Sequence, residues 1–388
     1  MNGGTKLFKL FGINVGLHFS WWFIFFLLAW SLSASFFPEQ LPGKSSLTYW
    51  LMGIFSALML FASVLMHELS HSLVAKAKKI KVESITLFFF GGIAGIDDEE
   101  IKPGAEFLMA VAGPLFSLLL SGIFYSLFFL IQNEIIKSIA YYLSFINLII
   151  AVFNLIPGFP LDGGRAFRAI LHGYYKDIKK ATKVAAFAGK LFAGYMVLEG
   201  ILNVFGFMVV IPGGIWFIFL GGFLYFIAGM SYEQILVKSV LQKISIRSLR
   251  LVKPQIIKNN LKMPEFIKRY SSLGENIFLI EDSSRKKILD IERIGKIDNI
   301  DLSRLTVGQA ASSLSPSQMV NINESAYSVF KKMSQNNHEA VLVFDKEKVV
   351  GLLTKSIIAH RLYWDFKFGN NELERKRAVG LRKRVKLN

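Results

Sequence analysis

Six long runs of apolar residues constrain this chain more than any other feature. They lie at roughly Phe19–Phe37, Trp50–Ala75, Phe107–Ile131, Ile139–Ile156, Val184–Val204 and Phe207–Met230. Each approaches the ~20 residues that a helix needs to cross a hydrocarbon core of ~30 Å. Within hydrocarbon, backbone polar groups must pair inside the segment, so the runs are expected as helices. A hydrophobic content of 53% and a mean hydropathy of +0.43 agree with a polytopic α-helical membrane protein. The sequence contains no cysteine, which excludes disulfides, thiolate metal sites and cysteine nucleophiles.

The distribution of Lys and Arg predicts an orientation. Lys6 and Lys9 precede the first run; Lys76, Lys78, Lys79, Lys81 and Lys102 follow the second. Arg165, Arg168, Lys176, Lys179, Lys180 and Lys183 follow the fourth, whereas the alternate loops hold only Lys44 and Lys137. The positive-inside rule then sets both termini in the cytosol. A cleavable signal peptide around Ser33-Ala34 would leave an odd number of spans and has only a weakly basic start. The formal net charge is +17, most of it after Glu233. That excess suits an anionic membrane leaflet better than a nucleic acid, so no nucleic-acid partner is expected.

Between the second and third runs, Val82–Phe90 (VESITLFFF) reads as a strand ending in a Gly91-Gly92 turn. After Glu233 a β-α-β rhythm appears: a helix over Ser325–Ser334, a strand over Ala340–Phe344, a turn at Asp345–Lys348 and a strand over Val349–Leu353. An earlier stretch, Lys243–Lys296, repeats it faintly, with strands near Ile277–Ile280 and Lys287–Ile291. Residues 375–388 carry seven Lys/Arg and no acid and read as a basic tail, disordered or bound to lipid headgroups.

The second run contains His67-Glu68-Leu-Ser-His71. Ionisable groups at membrane depth are costly and mark function. On a helix, residues four apart share a face, so His67 and His71 can direct ring nitrogens at one ion. Glu68 beside them can act as a general base on a metal-activated water. From Lys76, the two histidines lie ~7 and ~13 Å into the membrane at ~1.5 Å per residue. A catalytic zinc usually takes three protein ligands. His18, His172, His338 and His360 are poorly placed, so a carboxylate is sought, and Asp162 in NLIPGFPLDGGR is the candidate. From spacing alone it serves equally well as a turn residue or helix cap.

With these motifs in view, the chain resembles the site-2 protease family of intramembrane zinc metalloproteases, over residues 6–232. The resemblance rests on His67, Glu68 and His71; on Asn154, Pro157, Pro160, Asp162 and Gly163; on Gly91-Gly92; and on Ala112-Gly113-Pro114. It implies one Zn2+ held by His67, His71 and Asp162, with Glu68 as base and Asn154 holding the substrate backbone or the oxyanion. It implies that the strand Val82–Phe90 is a docking edge for an unwound transmembrane substrate segment. It also points to a multi-pass protein of a prokaryotic cell membrane that cuts membrane proteins, as in regulated intramembrane proteolysis.

The 90 residues between His71 and Asp162 leave no room for an inserted PDZ domain. The C-terminal part instead resembles a cystathionine-β-synthase-type (CBS) pair with a degenerate first repeat. This predicts a protease domain over 1–232, an α/β CBS-type domain over 233–374 that could form homodimers, and the tail. Adenine-nucleotide binding at such pairs uses Thr-x-x-Asp, but Ile357 stands at the Asp position, so a purely structural or dimerising module fits as well. The alternative from another class is a CBS-regulated metal transporter, for which Lys190 and Glu199 in the fifth run would be the residues to examine.

Overall fold

The computed structural model describes residues 4–88, 91–96, 101–207, 213–271, 277–281, 287–291, 304–346 and 348–368. The chain forms two compact units, residues 1–235 and 236–388. Among the described residues, six helices are long and apolar enough to span a membrane. They are Ser20–Gln40, Ser46–Ala77, Pro103–Leu130, Glu134–Asn154, Ile178–Val204 and Gly214–Leu241.

Helix caps, rather than hydropathy, set several ends of these spans. The second starts where the Ser45 side chain accepts the Thr48 N–H, and it stops at Lys79, whose φ is +63°. The fourth begins five residues before the apolar run, because the Asn133 side chain accepts the N–H groups of Ile135 and Ile136. The sixth differs most from expectation. Residues 208–212 lie outside the described part, and the helix runs from Gly214 past Glu233 to Leu241. The apolar residues Leu236, Val237, Val240 and Leu241 keep one face supplied beyond the polar Glu233-Gln234, so the helix does not break there.

A four-stranded sheet accompanies the helices, ordered β1 (Gly4–Leu10), β2 (Ile13–His18), β3 (Val82–Phe88), β4 (Gly91–Ile96). The β1–β2 hairpin was not anticipated. Leu10 pairs with Ile13 across Phe11 and Gly12, both at positive φ (48° and 81°), as a two-residue primed turn requires. The Lys76 ammonium donates to the Phe11 carbonyl at 2.6 Å, tying the hairpin to the end of the second span. Ile13, Val82, Ile85 and Leu87 bury against Trp21, Phe25, Leu69, Ala75 and Met109, which fastens the sheet to the first three spans.

Two expectations about the third strand need correction. Phe88 pairs with Gly91, so Gly91-Gly92 opens the return strand β4; the intervening residues 89–90 lie outside the described part. And β3 is not an edge: β2 lies parallel to it on one side and β4 antiparallel on the other. Among the described residues the free edges belong to β1 and β4. The β2–β3 pairing joins residues some 70 positions apart (Asn14 with Ser84), a contact that no local pattern announces.

Elsewhere in this unit, small residues bring helices close. Ser121 and Ser144 donate reciprocally to each other's carbonyls at 2.9 and 3.0 Å, locking the third span to the fourth. A Cβ at Gly221 would lie 2.7 Å from the Ala193 carbonyl, so the fifth and sixth spans meet at backbone distance.

The second unit uses one motif twice. A strand (Ile256–Lys258), a helix (Met263–Tyr270) and two strands (Ile277–Glu281, Lys287–Asp290) pair parallel, then antiparallel. A strand (Met319–Asn321), a helix (Ala326–Gln335) and two strands (Ala340–Asp345, Lys348–Thr354) do the same. The α/β architecture expected for a CBS-type region is thus present. Val329 and Met333 bury the helix face read from the sequence, and Ser325 caps that helix. The basic tail, 375–388, lies outside the described residues.

Candidate metal centre

The second span brings His67 and His71 to one face, with side chains 5% and 4% exposed. Asp162 reaches them from another element. It is the first residue of a short helix, Asp162–Tyr175, and not part of the irregular backbone expected; the loop before it spans 155–161. Two glycines allow this approach. A Cβ at Gly163 would strike the Leu155 and Ile156 carbonyls, and one at Gly164 would strike the backbone of Gly158 and Phe159. The helix start is therefore pressed against its own incoming loop, and Asp-Gly-Gly is the sequence that permits it.

The Asp162 Oδ2 lies 3.2 Å from His67 Nε2 and 3.1 Å from His71 Nε2. One ligand atom from each of the three residues falls within 4.8 Å of the others. Zinc bonds of about 2.0–2.2 Å in a tetrahedral site put neighbouring ligand atoms roughly 3.3–3.5 Å apart, so the spacing suits such an ion. Two nitrogens and one oxygen also leave a fourth position open, as catalytic zinc sites do.

The other ring nitrogens are committed elsewhere. His67 Nδ1 meets the Ser117 hydroxyl at 2.9 Å, and His71 Nδ1–H donates to the Met109 carbonyl at 2.5 Å. Both partners lie on the third span. They hold the ring orientations that leave each Nε2 facing Asp162. Gly113, between them, is where this span passes closest to the rings: a Cβ there would contact both Nε2 atoms. This close passage is the physical reason for the Ala112-Gly113-Pro114 motif. Ser117 and Met109 carried no signal beyond their place on the same helix.

Glu68 stands at the side of the group. Gly92, the second residue of β4, passes over it: a Cβ there would lie 2.9 Å from Glu68 Cδ and 3.2 Å from Oε1. Asn154 is not brought to the trio by a contact of this kind. Its amide donates to the Ile150 carbonyl at 3.0 Å within its own helix. Of the four remaining histidines, His18 pairs with Ser20, His338 with Ser317 and His360 with Trp364, and His172 lies in the last turn of the helix Asp162–Tyr175. In the fifth span, Glu199 accepts from the Tyr195 hydroxyl at 2.6 Å and the Lys190 ammonium sits over the Tyr225 ring at 5.1 Å.

The chain as a whole is similar to known proteins. The family model for Peptidase family M50 matches residues 55–142 and 130–198. Across 92% of this chain and 93% of its own length, the "Putative zinc metalloprotease Rip3" of Mycobacterium tuberculosis is 31% identical. The chain belongs to peptidase family M50, the site-2 proteases. The "Putative zinc metalloprotease sll0528" of Synechocystis is 34% identical over 92% of this chain and 95% of that protein. A solved structure, "Site-2 Protease from Methanocaldococcus jannaschii", is 33% identical, covers 59% of this chain and 95% of its own, and has a TM-score of 0.42. As a site-2 protease the chain is a multi-pass membrane zinc metalloprotease that acts on membrane-protein substrates, and the His–His–Asp group offers the donor set that Zn2+ requires.

Proposed function

We propose that His67 Nε2, His71 Nε2 and a carboxylate oxygen of Asp162 hold the zinc, and that Glu68 is the general base. The observation that carries this reading is the convergence of these three donor atoms from two separate elements, with both Nδ1 atoms tied to the third span. Zinc, when bound, supplies a Lewis acid and lowers the pKa of a water in the site. The Glu68 carboxylate takes the proton from that water and returns it to the leaving amine. The burial of His67 and His71 strengthens these electrostatic interactions.

A transmembrane substrate hides its peptide bonds in i→i−4 hydrogen bonds and must unwind before it is cut. The corrected sheet order supports the β4 edge, instead of β3, as the place where an unwound segment adds as a further strand. β4 begins at Gly91-Gly92, against Glu68, so a strand on that edge would run past the base. Asn154 would join the site only by exchanging its bond to Ile150 for one to the substrate.

In this reading residues 1–232 are the protease domain, with both termini in the cytosol, consistent with the Lys/Arg-rich loops. Residues 233–374 are a CBS-type pair, supported by the duplicated strand–helix–strand–strand motif. Ile357 packs against the core of its repeat, so this position holds no carboxylate for a ribose, and the pair is read as a structural or dimerising module. The metal-transporter alternative gains nothing from Lys190 and Glu199, which engage the aromatic neighbours Tyr225 and Tyr195.

The test is Glu68→Gln in the full chain. It should keep zinc content at the wild-type level and lower cleavage of a co-expressed single-span substrate by at least ~100-fold, the scale of a lost general base. Undiminished cleavage would refute the assignment.

A further inference from the structure

The third span, Pro103–Leu130, does more than orient the histidines. Glu106, Met109, Gly113 and Ser117 fall on one stripe, within an arc of about 80° at ~100° per residue. Met109 and Ser117 hold the two rings and Gly113 makes room for them. The fourth member of the stripe, Glu106, has a partner on another helix. Its carboxylate is 2% exposed and accepts from Arg168, from Nε at 2.8 Å and from Nη2 as well. Arg168 lies six residues beyond Asp162 on the same short helix, about 9 Å along its axis.

We infer that the Glu106–Arg168 ion pair is a latch that sets Asp162 against the two histidines, making Glu106 and Arg168 positioning residues for zinc. The inference rests on Asp162 being a zinc ligand. Three links support it. The stripe makes one rigid helix the common reference for both rings and for the helix that carries the carboxylate. The Arg168 guanidinium also lies over the Phe159 ring at 5.0 Å, binding the loop before Asp162 to the helix after it. And the loop is held from the far side, where the Phe159 N–H donates to the Ala185 carbonyl at 3.2 Å and Gly158 meets the backbone of Gly189. With the loop held at Gly158 and Phe159, the rotation of the short helix about its axis decides where Asp162 points. Arg168 Nε and Nη2 both donate to the one oxygen Oε1, which requires that oxygen to lie near the guanidinium plane and so restricts the rotation.

A buried pair could instead be a simple structural tie, and the two roles separate by experiment. The purified full-length protein in lipid nanodiscs would be stripped of metal and titrated with Zn2+ against a competing chelator. Glu106→Gln and Arg168→Lys should each weaken zinc binding about 10–100-fold, the effect of losing an outer partner of a ligand. In an Asp162→Ala background, Glu106→Gln should cause no further loss, since the residue it positions is already gone. An equal loss in both backgrounds would overturn the latch. So would a lowered melting temperature of the metal-free protein with unchanged zinc affinity, the signature of a structural tie. If Asp162→Ala weakens zinc and neither Glu106→Gln nor Arg168→Lys does, the latch fails while the ligand assignment stands. If Asp162→Ala itself leaves affinity unchanged, both fall.

Discussion

Replacing Gly113 with alanine adds a single methyl group and should cripple the metal centre. In the present geometry the new Cβ would sit 2.5 Å from His67 Nε2 and 2.6 Å from His71 Cε1, closer than real Cβ atoms approach such neighbours. Neither side yields easily. The third span is held by the buried Glu106–Arg168 pair and the Ser121–Ser144 contacts, and both rings are bound to that same span through Nδ1. Overpacking of a tight interior costs about 1–3 kcal/mol. Here the strain falls on the Nε2 atoms, so most of it should appear as lost zinc affinity, a factor of about 5–150 at 1.4 kcal/mol per decade. Chelator competition on the metal-free protein in nanodiscs would measure it, with substrate cleavage as the second readout. Gly122→Ala is the matched control: it makes the same change on the same span where no atom lies within 4 Å of the added Cβ. It should leave zinc affinity unaltered. Wild-type affinity and activity in Gly113→Ala would refute the placement of the histidine rings against this span.

Two further outcomes are expected. Ser117→Ala removes the partner of His67 Nδ1 and should weaken zinc about 10–100-fold, whereas the His71 partner, a backbone carbonyl, cannot be removed by substitution; a titration equal to wild type would count against this role. Because the chain has no native cysteine, single cysteines report orientation cleanly: Lys44→Cys should react with an impermeant maleimide on intact cells and Lys176→Cys only after permeabilisation. The reverse pattern would invert the topology.

The legible and illegible parts of this molecule divide by distance along the chain. His67 and His71 were readable as a pair because one helical turn relates them. The six spans were readable because transfer of apolar residues to hydrocarbon is summed locally. Their ends were less so, since Asn133 and Lys79 act through cap geometry, and the sixth span ran on past Glu233. The β1–β2 hairpin had a local sign in Phe11-Gly12 just ahead of the alternating Ile13, Val15 and Leu17, but its parallel partner β3 lies some 70 residues away. Without that pairing, β3 looks like an edge. Asn154 stands in the right motif, yet its side chain bonds backward to its own helix.

By itself, then, the sequence determined a membrane-embedded helical unit with two histidines and a glutamate on one helix, and an α/β unit built on a repeated motif. Those features follow from periodicity and hydropathy, which act between residues a few positions apart. Tertiary structure alone decided that Asp162 closes on the histidines from 91 residues beyond His71, that the third span commits both Nδ1 atoms, and that among the described residues β4 is the edge strand by Glu68. Each of these depends on which distant backbones can approach, and here glycines at 92, 113, 163 and 164 settle that.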